Sequence, residues 1–197
     1  HETYAKNDYE NGLTRVALST TTIEEDAIKF QQAGFKVIGP KRFSRTRPDG
    51  SVVSWQLLHV GSDNLQLELP FFIQWDESEQ QRIHQLQSLR TIQNHPAGPI
   101  KIEEVSFVVG NFNTARALLQ LCNFHHTQMN DSKLKADVLK IPTPTGTLAF
   151  YCPTDEGDVW DMLMVRGQSI CSIVLAGATE SKVIQLENAN YVFQKTY

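Results

Sequence analysis

The sequence predicts an α+β fold in which one strand–helix–strand pattern recurs along the chain. Three observations support this prediction: short segments alternate apolar and polar residues, helical apolar stripes lie between them, and the same order of signals returns later. The pattern starts at Leu13 and starts again at Ile102. We therefore expect two βαβββ repeats at residues 12–75 and 100–153, joined by a helix and a turn at residues 76–99.

The first repeat opens with an alternating strand. Thr21 or Thr22 can cap the helix that follows, because a side-chain oxygen accepts hydrogen bonds from the free N–H groups of a first turn. Gly34 ends this helix, since glycine readily takes the left-handed conformation. The turn Arg47-Pro48-Asp49-Gly50 then separates two strands, and Leu69–Trp75 forms the last strand of the repeat.

The second repeat follows the same order. Asn111 or Asn113 caps its helix, and Asn123 stands where the first repeat has its helix-ending glycine. Asparagine tolerates the same left-handed geometry. A third copy begins as a strand near Ile170, and we expect a helix from Thr179 through Ala189 to follow it.

The two ends of the chain lie outside the complete repeats. Residues 1–11 are expected to be a lead-in that links from an absent unit, and residues 154–197 to be a partial third strand–helix–strand unit. An incomplete unit leaves unpaired strand edges, which tend to pair with another chain. A homodimer is therefore expected.

Composition excludes several classes of partner. The net charge is −4 at pH 7, whereas proteins that bind nucleic acids or anionic membranes do so through clustered Lys and Arg. No apolar run approaches the roughly 20 residues that span a bilayer. Cys122, Cys152 and Cys171 are odd in number and lie in apolar surroundings, which indicates free thiols in a reducing compartment. We expect a cytoplasmic protein with neither nucleic-acid nor membrane partners.

The most specific motifs of the sequence follow one another in a defined order. The stretch from Arg45 to Gly50 leads to Trp55-x-Leu57, is followed by Leu69–Trp75, and then by His95-Pro96-x-Gly98 before the next repeat. In order and spacing, these motifs resemble those of glyoxalase-like domain proteins in the vicinal-oxygen-chelate superfamily. The resemblance implies a strongly curved mixed sheet in which paired repeats form a cup for the ligand. In the family's enzymes a divalent metal lies in the cup, held by His or Glu of the first strand and Glu of the last strand of each repeat.

The metal ligands that this resemblance implies are mostly missing. Arg15 stands at the first-strand position of the first repeat, and Glu104 stands at the same position of the second. Gln74 is the last-strand candidate in the first repeat, while the second offers only Phe150 or Tyr151. An arginine repels cations, so we expect no metal cofactor, with Glu104 as a weak candidate ligand. A divalent metal would need ligands from an absent unit or a second chain.

The leading hypothesis is therefore a protein that binds a small organic ligand, anions included, in the cup. Arg45 and Arg47 are expected at its mouth, because guanidinium groups pair with carboxylates through two hydrogen bonds. His95 is a further candidate ligand-binding residue, although an organising hydrogen bond within its turn is the preferred role. The expected lining residues are Trp55, Gln74 and Trp75.

Two other functions are compatible with the sequence: a metal-dependent lyase, isomerase or dioxygenase, and a non-catalytic oligomerisation module. Trp55, Leu57 and His59 share one face of their strand, which is either the core or the cup lining. No motif in the sequence identifies a reaction or a substrate.

Overall fold

The computed structural model describes residues 12–187 and 189–195 and separates into two compact units. The N-terminal unit spans Arg15–Asn94, and the C-terminal unit starts at His95 and also includes residues 12–14. Each unit contains one mixed sheet. The fold class is therefore α+β, as predicted.

The N-terminal unit is one βαβββ repeat followed by a helix. Its sheet has the order β1-β4-β3-β2, with β1 parallel to β4 and the other neighbours antiparallel. This arrangement confirms the predicted repeat. The elements are β1 (Ala17–Ser19), α1 (Ile23–Gln32), β2 (Lys36–Thr46), β3 (Val52–Gly61), β4 (Phe71–Trp75) and α2 (Glu79–Ser88).

Helix α1 covers one face of this sheet. Its buried stripe includes Phe30, whose ring lies 4.9 Å from the ring of Phe72 on β4. Thr22 occupies the N-cap position but makes no side-chain cap hydrogen bond. The N–H group of Ile23 instead donates to Oε1 of Gln74 at 2.9 Å. The helix start was predicted correctly, but its cap comes from a neighbouring strand.

The C-terminal unit contains a single seven-stranded sheet. Its strand order is β10-β11-β9-β5-β8-β7-β6, and the central neighbours β5 and β9 are antiparallel. The elements are β5 (Lys101–Val108), α3 (Asn113–Cys122), β6 (Thr127–Asp131), β7 (Ala136–Thr143), β8 (Gly146–Pro153), α4 (Asp158–Arg166), β9 (Ser169–Ala178), β10 (Lys182–Leu186) and β11 (Ala189–Lys195).

The second repeat is β5-α3-β6-β7-β8, with β5 parallel to β8 as β1 is to β4. Asn123 adopts the left-handed conformation at the end of α3, with φ of 52°, which confirms the sequence prediction. Phe107 and Phe150 stack with their ring centroids 4.7 Å apart in the core. These two rings lie on adjacent, register-paired positions of β5 and β8.

The helix expected from Thr179 through Ala189 is wrong. That segment contains β10, which forms a hairpin with β11 instead. Val183 and Ile184 are β-branched, and such residues fit a pleated strand better than a helix. The third copy keeps the first, third and fourth strands of the repeat: β9 is parallel to β11, and β10 is antiparallel to β11. Its helix and second strand have no counterpart among the described residues.

Helix α4 was not predicted from the sequence. Asp158 and Asp161 lie in its first turn, Arg166 lies in its last turn, and Gly167 follows it. Acidic residues at the start and basic residues at the end of a helix complement its dipole, so the signal was present. Val159 of α4 packs with Val108 and Ala136 of the sheet. The partly buried neighbours of this cluster are Tyr151, Met162, Leu163 and Cys171.

Two expectations about the ends and the edges have different outcomes. The lead-in at residues 1–11 lies outside the described residues. Strand β10 is an edge strand, and all five of its residues are exposed. Pairing of such an edge with a second chain, and hence the homodimer, stays a prediction.

In the part of the chain that the structure describes, none of the helices combines the length and the apolar character needed to cross a membrane.

Candidate functional site

Half-buried aromatic side chains cluster on the sheet face of the N-terminal unit that α1 does not cover. Trp55 pairs in register with Trp75, and their ring centroids are 5.4 Å apart. Phe43 of β2 stacks on Trp55 at 6.2 Å. We call this surface the aromatic face; it comprises Phe43, Trp55, Leu57, His59, Phe71, Ile73 and Trp75.

A charged group lies at one end of the aromatic face. Nε of Arg15 lies 3.0 Å from Oε2 of Glu68, but this contact lacks hydrogen-bond geometry and Nε has no hydrogen-bond partner. Nη1 of Arg15 makes a long contact of 3.4 Å with Nδ1 of His59. The guanidinium also lies 6.0 Å from the ring centroid of Phe71. The cation is thus placed beside an otherwise apolar surface.

His59 is held as a neutral ring in this environment. Burial lowers the pKa of His59 below its ordinary value, and the neighbouring Arg15 charge lowers it further, while Glu68 opposes the shift. Arginine can only donate hydrogen bonds. The contact with Arg15 therefore requires a lone pair on Nδ1, so the ring proton is assigned to Nε2.

The other end of the aromatic face is covered by helix α2. Its Arg82 guanidinium lies 4.0 Å from the ring centroid of Trp75, a cation–π contact. The helix begins with a complete capping box, in which Ser78 and Gln81 exchange hydrogen bonds. This cap fixes the start of α2 and so helps to hold Arg82 over the ring.

The predicted lining residues divide between the two faces of the sheet. Trp55 and Trp75 both lie on the aromatic face. Gln74 does not: it binds the N-terminus of α1 and so lies on the opposite face. Successive side chains of a strand point to opposite faces, so Gln74 and its neighbour Trp75 could not both line one surface. The assignment of Gln74 to the lining is wrong.

The two predicted mouth arginines differ in their surroundings. Arg45 is exposed on β2, opposite Val53. Arg47 is buried and donates to both carboxylate oxygens of Glu77, at 3.1 and 2.7 Å. The carboxylate partner of Arg47 is therefore a residue of this chain. That pair joins the β2–β3 turn to the segment before α2.

Arg47→Gln is expected to lower the thermal midpoint, because Glu77 loses its bidentate partner. The hydrogen bond from Arg47 holds the pKa of Glu77 below its ordinary value. A depressed carboxyl pKa contributes stability above the unfolded pKa, and that stability is lost as the pH falls. The difference in thermal midpoint between wild type and variant should therefore become smaller below about pH 4, and thermal melts at several pH values measure it. A difference that grows on acidification would contradict this role.

His95 belongs to the C-terminal unit and not to the aromatic face. It is exposed, and its Nδ1 accepts a hydrogen bond of 3.1 Å from the N–H group of Ala97. Its carbonyl oxygen accepts a second bond, of 2.9 Å, from the N–H group of Gly98. The residue thus organises the turn that precedes β5.

Glu104 lies in a polar cluster on the sheet of the C-terminal unit. Its Oε2 accepts from Nζ of Lys140 at 2.6 Å, and its Oε1 accepts from the hydroxyls of Ser106 at 2.9 Å and Tyr151 at 3.0 Å. Burial, followed by the Glu104 charge, raises the pKa of Tyr151 well above its ordinary value. The phenol therefore remains a hydrogen-bond donor.

The described residues do not fit the divalent metal that the superfamily's enzymes hold. At Glu104 the position of a cation is taken by the Lys140 ammonium group. At the first-strand position of the other sheet, Arg15 is a permanent cation already paired with Glu68. Within residues 12–187 and 189–195, no three His, Cys, Asp or Glu side chains come together as a metal site.

Cys171 is not an activated nucleophile. Burial raises the pKa of its thiol to about 11, so little thiolate exists near neutral pH. Its Sγ lies 3.4 Å from the carbonyl oxygen of Ser106. Burial likewise raises the pKa of Cys152. Cys122, Cys152 and Cys171 are all free of disulfides.

The group of Arg15, His59 and Glu68 was not assembled from the sequence. In the sequence, Arg15 indicates only an obstacle to a metal, and the face of the strand that carries His59 is either core or lining. One sequence pattern could have placed His59 beside the tryptophans, because His59 lies four residues from Trp55 and shares its face of the strand. Arg15 lies two residues before β1, and its approach to His59 depends on strand pairing that the local sequence does not reveal.

The sequence and structure of the chain are similar to those of known proteins. The profile of the glyoxalase-like domain family matches residues 2–122. The solved structure of a hypothetical protein from Staphylococcus aureus matches with a TM-score of 0.78 and 25% identity, over 98% of this chain and 70% of that one. No curated protein sequence is similar enough to count as a match.

A more distant structure shares the fold alone. A mutant of 4-hydroxymandelate synthase from Streptomyces coelicolor matches with a TM-score of 0.52 and 11% identity, over 87% of this chain and 52% of that one. The family profile covers more than half of the present chain, and the βαβββ repeats agree with it. The chain therefore belongs to the glyoxalase-like domain family.

Proposed function

We propose that this protein binds a small organic molecule with a flat apolar body against the aromatic face. The observation that carries the proposal is the Trp55–Trp75 pair, which lies half-buried on the face that α1 leaves uncovered. Rings in this state still lose water when a ligand covers them, and aromatic side chains contribute large contact areas at low entropic cost.

The surroundings of the pair support binding rather than core packing alone. The opposite face of the sheet supplies the core, through Leu58, Phe72 and the α1 stripe, all of which are buried. The aromatic face combines apolar rings with a few polar groups at its ends, namely Arg15, His59 and Arg82. Ligand sites in proteins have this composition, mostly apolar with a few polar groups that orient the ligand.

The test is a titration followed by tryptophan fluorescence. Trp160→Phe removes the signal of the C-terminal unit, so the two remaining tryptophans report on the aromatic face. This variant is titrated separately with 4-phenylbutyrate and 4-phenylbutyramide, which absorb at shorter wavelengths than tryptophan. We expect a saturable change with at least one of them, with a dissociation constant of order 1 mM for so small a ligand.

Two further variants make the result specific. Adding Trp55→Ala should weaken binding about tenfold, which corresponds to about 1.4 kcal/mol, whereas Trp55→Phe keeps a ring and should weaken it less. Circular dichroism checks that each variant is folded. Non-saturable changes with both compounds, or equal affinity after Trp55→Ala, would overturn the proposal.

A further inference from the structure

We propose that the ligand carries a carboxylate, which Arg15 receives together with the Nε2–H group of His59 at one end of the aromatic face. This inference rests on the proposed function and adds the chemical class of the ligand. It moves the anion site from Arg45 and Arg47, the residues that the sequence suggested, to a different pair.

The Arg15 guanidinium forms an ion pair with Glu68, but its Nε atom has no hydrogen-bond partner. The Arg15 side chain is only 21% exposed. A poorly hydrated donor that makes no hydrogen bond in the protein is left unsatisfied. The guanidinium stays protonated at any physiological pH, and its planar set of donors matches the two oxygens of a carboxylate. An incoming carboxylate would therefore supply the hydrogen bond that Nε of Arg15 lacks.

His59 suits this role because it is neutral. Two adjacent cations would repel each other, but the environment of His59 disfavours its charged form. Its Nδ1 faces Nη1 of Arg15, which leaves the Nε2–H group as a donor. A neutral donor next to a permanent cation recognises an anion without adding a second buried charge.

The spacing on β3 sets the size of the ligand. His59 lies four residues from Trp55 on the same face, and at about 3.3 Å per residue this separation is roughly 13 Å. Leu57 and Ile73 lie between the two ends, so the intervening surface is apolar. A carboxylate at the Arg15 end thus places an aromatic or aliphatic body of one or two rings over the tryptophan pair. The predicted ligand class is an aryl- or arylalkyl-carboxylic acid.

The test compares 4-phenylbutyrate with its amide by isothermal titration calorimetry on the complete chain. The two probes differ in charge but hardly in shape. We expect the carboxylate to bind at least tenfold more tightly than the amide. Arg15→Gln should remove this preference while leaving binding of the amide within about twofold.

Two other variants exclude simpler explanations. Arg45→Gln removes an exposed cation from the same sheet, and it should leave the preference for the carboxylate intact. Glu68→Gln removes the competing carboxylate and should tighten binding of 4-phenylbutyrate severalfold. This second variant keeps the inference testable if Arg15→Gln proves unstable in thermal melts.

Each outcome has a distinct meaning. Equal, saturable binding of acid and amide would overturn the inference and leave the proposed function standing. Loss of the preference in Arg45→Gln but not in Arg15→Gln would move the anion elsewhere and also overturn it. No binding of either compound would overturn the proposed function itself.

Discussion

Lys140→Met is expected to lower the free energy of unfolding by about 2 kcal/mol, because it leaves the carboxylate of Glu104 without its counter-ion. The Glu104 side chain is 12% exposed, and its partner is 36% exposed. Removing one member of a fully buried ion pair costs about 3–5 kcal/mol. Partial exposure of the ammonium group, and the retained hydrogen bonds from Ser106 and Tyr151, justify the lower figure. Urea denaturation followed by circular dichroism measures the change.

A double variant and a matched surface variant complete this experiment. Glu104→Gln combined with Lys140→Met removes both charges, and it should recover most of the lost stability because no unpaired charge remains. Lys182 pairs with Glu180 at 3.7 Å, and the two side chains are 42% and 75% exposed. Lys182→Met should therefore change stability by less than about 0.5 kcal/mol. Equal effects at Lys140 and Lys182 would show that the Glu104 cluster is not a buried ion pair in energetic terms.

The second large effect is expected for Gly177→Ala, at about 3 kcal/mol of lost stability. Gly177 has φ of +88°, and a Cβ atom placed there would lie 2.5 Å from the carbonyl oxygen of Pro99. That oxygen belongs to the backbone of the turn before β5. A Cβ atom placed on Gly98, in the same turn, would likewise lie 2.8 Å from the carbonyl oxygen of Gly177. The substitution therefore adds a steric clash to an unfavourable backbone conformation.

Gly167 provides the control for this prediction. It also has a positive φ, of +67°, but a Cβ atom there would meet nothing within 4 Å. Gly167→Ala should thus lose only the conformational term, which is about 1–2 kcal/mol for a backbone with ψ of −167°. Urea denaturation gives the free energy of unfolding of each variant. The difference between the two losses measures the steric cost of the close approach between the turn and β9. Equal losses would show that the turn moves away at little energetic expense.

The close approach also explains a motif whose purpose the sequence did not reveal. The pattern His95-Pro96-x-Gly98 belongs to the predicted turn between the repeats and to the motifs that carry the family resemblance. In the structure the N–H group of Thr179, at the end of β9, donates to the carbonyl oxygen of Ala97 at 2.8 Å. Glycine is needed at position 98 because the turn lies against the backbone of a strand about 80 residues later in the chain.

Local signals in the sequence predicted most of the elements correctly. Alternating apolar residues located β3 and β8, and helical stripes with acidic first turns located α1. Gly34 and Asn123 both adopt positive φ at the predicted helix ends. Such features succeed because they depend on neighbours within a few residues, whose interactions do not change with the tertiary environment.

The predictions that failed depended on partners far along the chain. The segment from Thr179 to Ala189 was predicted to be a helix, but pairing of β11 with β10 and with β9 makes it part of a hairpin. Gln74 and Trp75 both looked suitable as lining residues. Only the position of α1 decides which of the two faces the core, and Gln74 then caps that helix.

The sequence by itself determined the α+β class, the two βαβββ repeats, the family and the aromatic character of the candidate site. The tertiary structure alone decided which strand face carries that site, that Arg47 is already bound by Glu77, and that Arg15 meets His59 beside it. The physical reason is that strand alternation specifies two faces but not their orientation. Which face is buried follows from the packing of helices and from strand pairs that form between residues distant in sequence.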